Sequence, residues 1–243
     1  MKNFLTLSLL LALAHPCSAQ FPRTLKDAAN KVTGGGSGGW SNDDVIAGLK
    51  EALGKGSEQS VLRGSALDGY WKNDRIRIPF PPEAEKMKTT LNSIGMSAPV
   101  TDFEMTMNRA AEEAAKEALG VLKDAVTGMS VGDGFVILKG GDSAATAYLT
   151  EKTSAVLTER FRPIVARATA KVALTSYWTP LANGYNKAGM FTGAKAVEPD
   201  LDAYVTQRAI DGLFVLIAEE EARIRKDPLA RTSDLLRRVF GAG

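Results

Sequence analysis

Residues 101–127 read TDFEMTMNRAAEEAAKEALGVLKDAVT, the longest regular stretch of the chain. Phe103, Met107, Ala110, Ala114, Ala118, Leu122 and Ala125 recur at three- and four-residue spacing, which lines apolar side chains along one face of an α-helix. Arg109, Glu112, Glu113, Lys116, Glu117 and Lys123 fill the remaining positions. Thr101 with Glu104 has the hydroxyl-x-x-acid form of a capped first turn, and Gly128 is a stop. The alanines permit a second helix to approach closely.

The same punctuation continues in both directions. Downstream, Ser130 with Asp133 opens a short helix through Leu138, Gly140-Gly141 end it, and Asp142 is placed to cap the next. Ser143 to about Val172 is helical with an expected break near Arg162, because Pro163 removes a backbone donor. Tyr177 to Pro180 predicts a shorter helix and Gly184 to Gly193 a loop. Asp200 then caps the most apolar helix, with Leu201, Val205, Ile210, Leu213, Phe214, Val215, Leu216 and Ile217 predicting a central core position. Its end, Glu219-Glu220-Glu221 against Arg223, Arg225 and Lys226, reads as solvated, and Pro228 restarts a last turn towards Phe240.

Upstream, Ser41 with Asp44 caps a helix carrying Val45, Ile46, Leu49 and Leu53, with a stop expected at Gly54 or Gly56 and a second short helix from Ser57 to Leu62. Leu67 to Pro82 differs: Asp68-Gly69 and Asn73-Asp74 are turn formers, and Ile76, Ile78 and Phe80 alternate with Arg75, Arg77 and Pro79. Prolines 79, 81 and 82 make it a poor central strand, so it is expected to lie across helices as an extended arm. Pro82 to Ile94 predicts a helix with Gly95 as its stop. The fold class expected is all-α, a multi-helix bundle with kinked helices and one extended, proline-containing arm.

The N-terminus has a different purpose. Lys2, an apolar run from Phe4 to Ala14 and the small residues around Cys17-Ser18-Ala19 follow signal-peptide order, with cleavage expected after Ala19. Residues 20–39, with Gly34-Gly35-Gly36-Ser37-Gly38-Gly39, read as a flexible tail, and 40–243 as a single helical domain. The expected location is therefore periplasmic or secreted. The chain has one Cys and one His, and Cys17 and His15 both lie in the leader. A mature chain without either has no thiol nucleophile, no Ser-His-Asp triad and no zinc or haem site built on imidazole or thiolate. The net charge of +2 gives no signal for nucleic acid, and no later segment reaches membrane-spanning length without charge.

Asn42-Asp43-Asp44-Val45-Ile46-Ala47-Gly48-Leu49-Lys50-Glu51-Ala52-Leu53, Ile76-Arg77-Ile78-Pro79, Met107-Asn108-Arg109-Ala110-Ala111-Glu112, Leu138-Lys139-Gly140-Gly141-Asp142, Arg160-Phe161-Arg162-Pro163-Ile164-Val165 and Leu201-Asp202-Ala203-Tyr204-Val205-Thr206 through Phe240-Gly241 follow one another in that order. In this the chain resembles the exported bacterial domain of unknown function 4197 family over nearly all of its mature length. The resemblance implies a signal-bearing helical protein and brings no activity, ligand or catalytic residue.

The residues themselves single out Asn108, Arg109, Arg160 and Arg162, strong donors beside apolar positions on helices. They are the candidates for an anionic ligand head group, because an Arg fork holds a carboxylate or phosphate through two bonds. The competing reading makes them helix-helix ion pairs, for instance Arg109 with Glu112 or Glu113, or has Arg160 and Arg162 bonding free carbonyls at a helix boundary. Gly140-Gly141-Asp142 reads as a helix stop and cap, and Asp200, Asp202 and Asp211 as a cap, a first-turn charge and a surface residue. No catalytic residue, metal ligand or cofactor is assigned, and the composition points away from an enzyme. Three functions remain, in this order: binding an apolar or lipid-like amphipathic anionic envelope ligand, a structural domain that binds an envelope protein partner, and a carboxylate-dependent hydrolase.

Overall fold

A computed structural model describes residues 41–171, 173–192 and 196–227. The expected leader and glycine-rich tail and the turn expected after Pro228 lie outside these residues. From Ser41 the backbone enters α1 (Asn42–Ser65), crosses an irregular segment at 66–81 and a 3₁₀ turn (Pro82–Ala84), and continues as α2 (Glu85–Ser93), α3 (Ser97–Ala115) and α4 (Ala118–Thr127). There follow α5 (Val131–Lys139), α6 (Ala144–Thr169), α7 (Ala173–Thr192) and α8 (Leu201–Lys226). Among the described residues there is no strand, so the fold is all-α.

The caps explain where helices begin. Ser41 and Asp44 form a reciprocal capping box at α1, Ser130 and Asp133 form another at α5, and Asp200 accepts from the Ala203 amide at α8. Gly95, with φ +87°, stops α2 in the left-handed region that glycine enters without a Cβ penalty. α8 is the central helix and packs on α6, α1 and α3. Val205, Ala209, Leu213 and Leu216 are fully buried on it. On α6 every fourth residue is buried, from Ala145 and Leu149 through Leu157, Phe161 and Val165 to Thr169. A four-residue period exceeds the 3.6-residue turn, so this stripe winds about the helix, which packs on α5, α4, α3 and α8.

Several boundaries differ from the sequence reading, each for a packing reason. α1 runs unbroken through Gly54 and Gly56; Gly56 is buried against Glu220 and Ile224 of α8, and that contact outweighs glycine's poor helix propensity. The 101–127 stretch instead divides at Lys116-Glu117, whose amides bond three residues back, to Glu113 and Ala114, tightening one turn between α3 and α4. α6 continues through Pro163, held by fully buried Phe161 and Val165 on either side, and α7 continues through Pro180 and Gly184. Glu220 and Glu221 are not solvated: both are buried, and both are paired with arginine. Asp142 does not cap α6 but pairs with Lys226. Glu221 supplies that cap from α8, accepting from the Ala145 and Thr146 amides at 3.0 and 2.8 Å.

Candidate functional site

The polar groups of α3 converge on the irregular segment. Glu104, Asn108 and Glu112 stand one turn apart on one face and are all buried. The segment alternates as its sequence suggests, with Ile76, Ile78 and Phe80 inward and Arg75, Arg77 and Pro79 outward. Buried backbone needs hydrogen-bond partners, and without a neighbouring strand they must come from side chains. Glu112 Oε1 accepts from the Tyr70 and Trp71 amides, both at 3.1 Å. Asn108 Oδ1 accepts from the Ile78 amide, while its Nδ2 donates to the Ile78 and Glu104 carbonyls, all at 2.8 Å. Glu104 Oε1 accepts from the Phe80 amide at 3.1 Å.

Cations close the outer side of this clamp. Arg109 bridges Glu112 and Asp68, both at 2.6 Å. Lys72 first, then Arg109, hold the Asp68 carboxyl below the usual carboxylate range, and Asp68 itself occupies the left-handed region at φ 67°. Arg77 and Lys88 pair with Glu104, and Arg77 also stacks on Trp71 with its guanidinium 4.2 Å from the ring. The far end of the segment is fixed by aromatic contact: Phe80, Phe103 and Trp178 form a triangle with ring centroids 5.4 to 5.8 Å apart. A second asparagine repeats the device, because Asn186 on α7 accepts from the Val197 amide and donates to the Val197 carbonyl.

Arg160 and Arg162 lie elsewhere, on α6. Two residues apart on a helix means about 200° of rotation, so they face different ways. Arg162 pairs with Asp200, the α8 cap, whereas Arg160 stands 3.9 Å from Glu117. The four sequence candidates therefore divide: Asn108 and Arg109 share the α3 clamp, and the two α6 arginines share no partner with them or with each other. A cavity of about 20 Å³, room for about one water, lies between α1, α6 and α8 beside Leu53, Ser57, Leu149 and Glu221. None of the four candidates lines it.

Sequence reasoning missed Glu104 and Glu112 as clamp residues, and Glu221 as a cap. The four-residue spacing of Glu104, Asn108 and Glu112 was a usable signal: it predicts one polar face pointed at a neighbour.

Residues 39–241 match the model of a family described as a protein of unknown function, DUF4197. The chain belongs to that family. In this DUF4197 domain the Met107–Glu112 and Ile76–Pro79 segments are the two sides of one clamp. No curated protein and no solved structure matches the chain.

Proposed function

We propose that this DUF4197 chain is an exported, non-catalytic domain that works by binding a protein partner outside the cytoplasm. The observation that carries this is how the faces of α3 and α4 are used: Ala110, Ala111, Ala114 and Ala115 on α3 and Ala118 at the start of α4 are all fully buried by neighbouring helices. A ligand pocket is concave and typically hundreds of Å³ in volume. The cavity described above takes about one water, which leaves no place there for an amphipathic tail. The clamp supports the same reading, since its polar groups are engaged in holding backbone. Surface features supply what a partner would meet: α7 ends with Met190 and Phe191 exposed at 83% and 90%. Export rests on the leader features of residues 1–19.

Two measurements on protein recovered from its native envelope test this reading. Native mass spectrometry followed by lipid extraction is expected to give the bare chain beginning at Gln20. A photo-crosslinking residue at position 191 is expected to give one discrete protein adduct. A stoichiometric lipid adduct, or crosslinks to lipid alone, overturns the proposal in favour of the amphipathic-ligand reading.

A further inference from the structure

Many of the described cations are paired with carboxylates. Arg63, Arg75, Arg77, Lys88, Arg109, Arg162, Arg223, Arg225 and Lys226 each meet an acidic side chain. Among the described residues Lys50, Lys86, Lys123, Lys139 and Arg208 meet none, and the outer face of the second half of α6 gathers further cations in one row. Arg160 and Arg167 on α6 and Lys171, two residues past its end, are seven and four residues apart, close to one line along the helix direction, and all are exposed. No Asp or Glu occupies the third or fourth position on either side of any of them. The acid that faces the row from another element is Glu117, itself half exposed, at 3.9 Å from Arg160. Arg167 and Lys171, like charges one turn apart, repel each other and have no acidic partner among the described residues. Exposed Val156 and Pro163 lie on the same arc, so the face is basic and partly apolar.

We propose that this face of α6 docks on the anionic phosphates of a phospholipid bilayer surface. Three features favour a lipid surface over a single bound anion. The three cations form a row along α6 and the turn that follows it, they line no cavity among those described, and Val156 and Pro163 lie on the same arc, a mixed basic and apolar face of the kind that lies in a headgroup layer. The contact is peripheral, since among the described residues no helix is long and apolar enough to cross a membrane. This inference is independent of the partner proposed at Phe191.

Flotation of the purified protein with vesicles is the test. The protein is expected to rise with mixed phosphatidylglycerol–phosphatidylcholine vesicles, to stay down with pure phosphatidylcholine, and to be released by added salt. Arg167→Gln with Lys171→Gln is expected to weaken partition about 25-fold, about fivefold for each cation near an anionic surface. Lys123→Gln with Lys139→Gln removes the same net charge from other exposed sites and is expected to leave partition unchanged. Equal partition to both vesicle types, none to either, or equal losses from the two double variants overturns the proposal. Binding to polyglutamate without binding to anionic vesicles also overturns it and assigns the face to an acidic protein.

Discussion

Asn108 holds both backbone groups of Ile78, accepting from its amide and donating to its carbonyl, each at 2.8 Å. One side-chain amide thereby does what a neighbouring strand would do for a segment that has none. Asn108→Ala leaves a buried N–H and a buried C=O without partners, at about 1–3 kcal/mol each. The expected loss is about 2–4 kcal/mol in urea unfolding. A loss under about 0.5 kcal/mol, the range of an ordinary surface change, would mean the segment is not gripped there.

Glycines on α1 and α8 should respond in opposite directions to alanine. At Gly212 an added Cβ would lie 2.7 Å from the Tyr70 ring and 3.1 Å from the Ile76 Cβ. Tyr70 cannot yield, being fully buried with its hydroxyl donating to the Ala209 carbonyl at 2.6 Å. Gly212→Ala is expected to cost about 1–3 kcal/mol through overpacking. At Gly54 a Cβ meets nothing within 4 Å, so Gly54→Ala should stabilise by about 0.5–1 kcal/mol. Thermal unfolding of the two variants checks both signs.

Legibility in the sequence followed the range of the interaction. Ser41 with Asp44, Ser130 with Asp133, and Asp200 with Ala203 are contacts within three residues, so those helix starts could be read; the start expected at Thr101 failed, because α3 begins at Ser97 and Glu104 turns to the Phe80 amide. The stops at Gly54, Gly56 and Pro163 failed because Glu220, Ile224, Phe161 and Val165, which override them, act through tertiary packing. Glu112 meets Tyr70 and Trp71 across some forty residues, and Glu221 meets Thr146 across seventy-five. No local pattern says that such a carboxylate turns inward. The divergence of Arg160 and Arg162, by contrast, follows from helix geometry alone and was available from their spacing.

Tyr70 gives stability an alkaline limit. Burial, and then the Glu112 charge, push its phenol well above the ordinary value of 10. A group whose folded pKa is raised contributes fully below its unfolded pKa and loses that contribution as pH climbs towards the folded value. Stability should therefore fall above about pH 10, by about 1.4 kcal/mol per pH unit for this one proton. Tyr70→Phe should be less stable at neutral pH by about 1 kcal/mol, for the lost hydrogen bond. The gap between the two proteins should narrow above pH 10; a gap independent of pH would show that the buried phenol does not set this limit.

Glu221 and Arg225 pin the junction between α5 and α6 from one turn of α8. α6 lacks a cap of its own, since the Ser143 side chain makes no capping bond, and Glu221 takes the Ala145 and Thr146 amides together with the Thr146 hydroxyl. Arg225 holds Glu221 Oε1 and donates to the Ile137 carbonyl at the end of α5, 3.1 Å away. An anion thus meets a helix N-terminus and a cation a helix C-terminus, the favourable sense for both dipoles. Glu221→Ala uncaps α6 and removes a buried carboxylate from the mostly buried Arg225, so a loss of about 3–5 kcal/mol is expected. Glu221→Gln keeps the shape but turns one donor against the α6 amides, for about 1–2 kcal/mol. Hydrogen exchange locates the effect: Ala145 and Thr146 should exchange faster in Glu221→Ala and stay protected in Arg225→Ala, where the carboxylate still caps them. Equal protection in both variants would place the α6 cap somewhere other than α8.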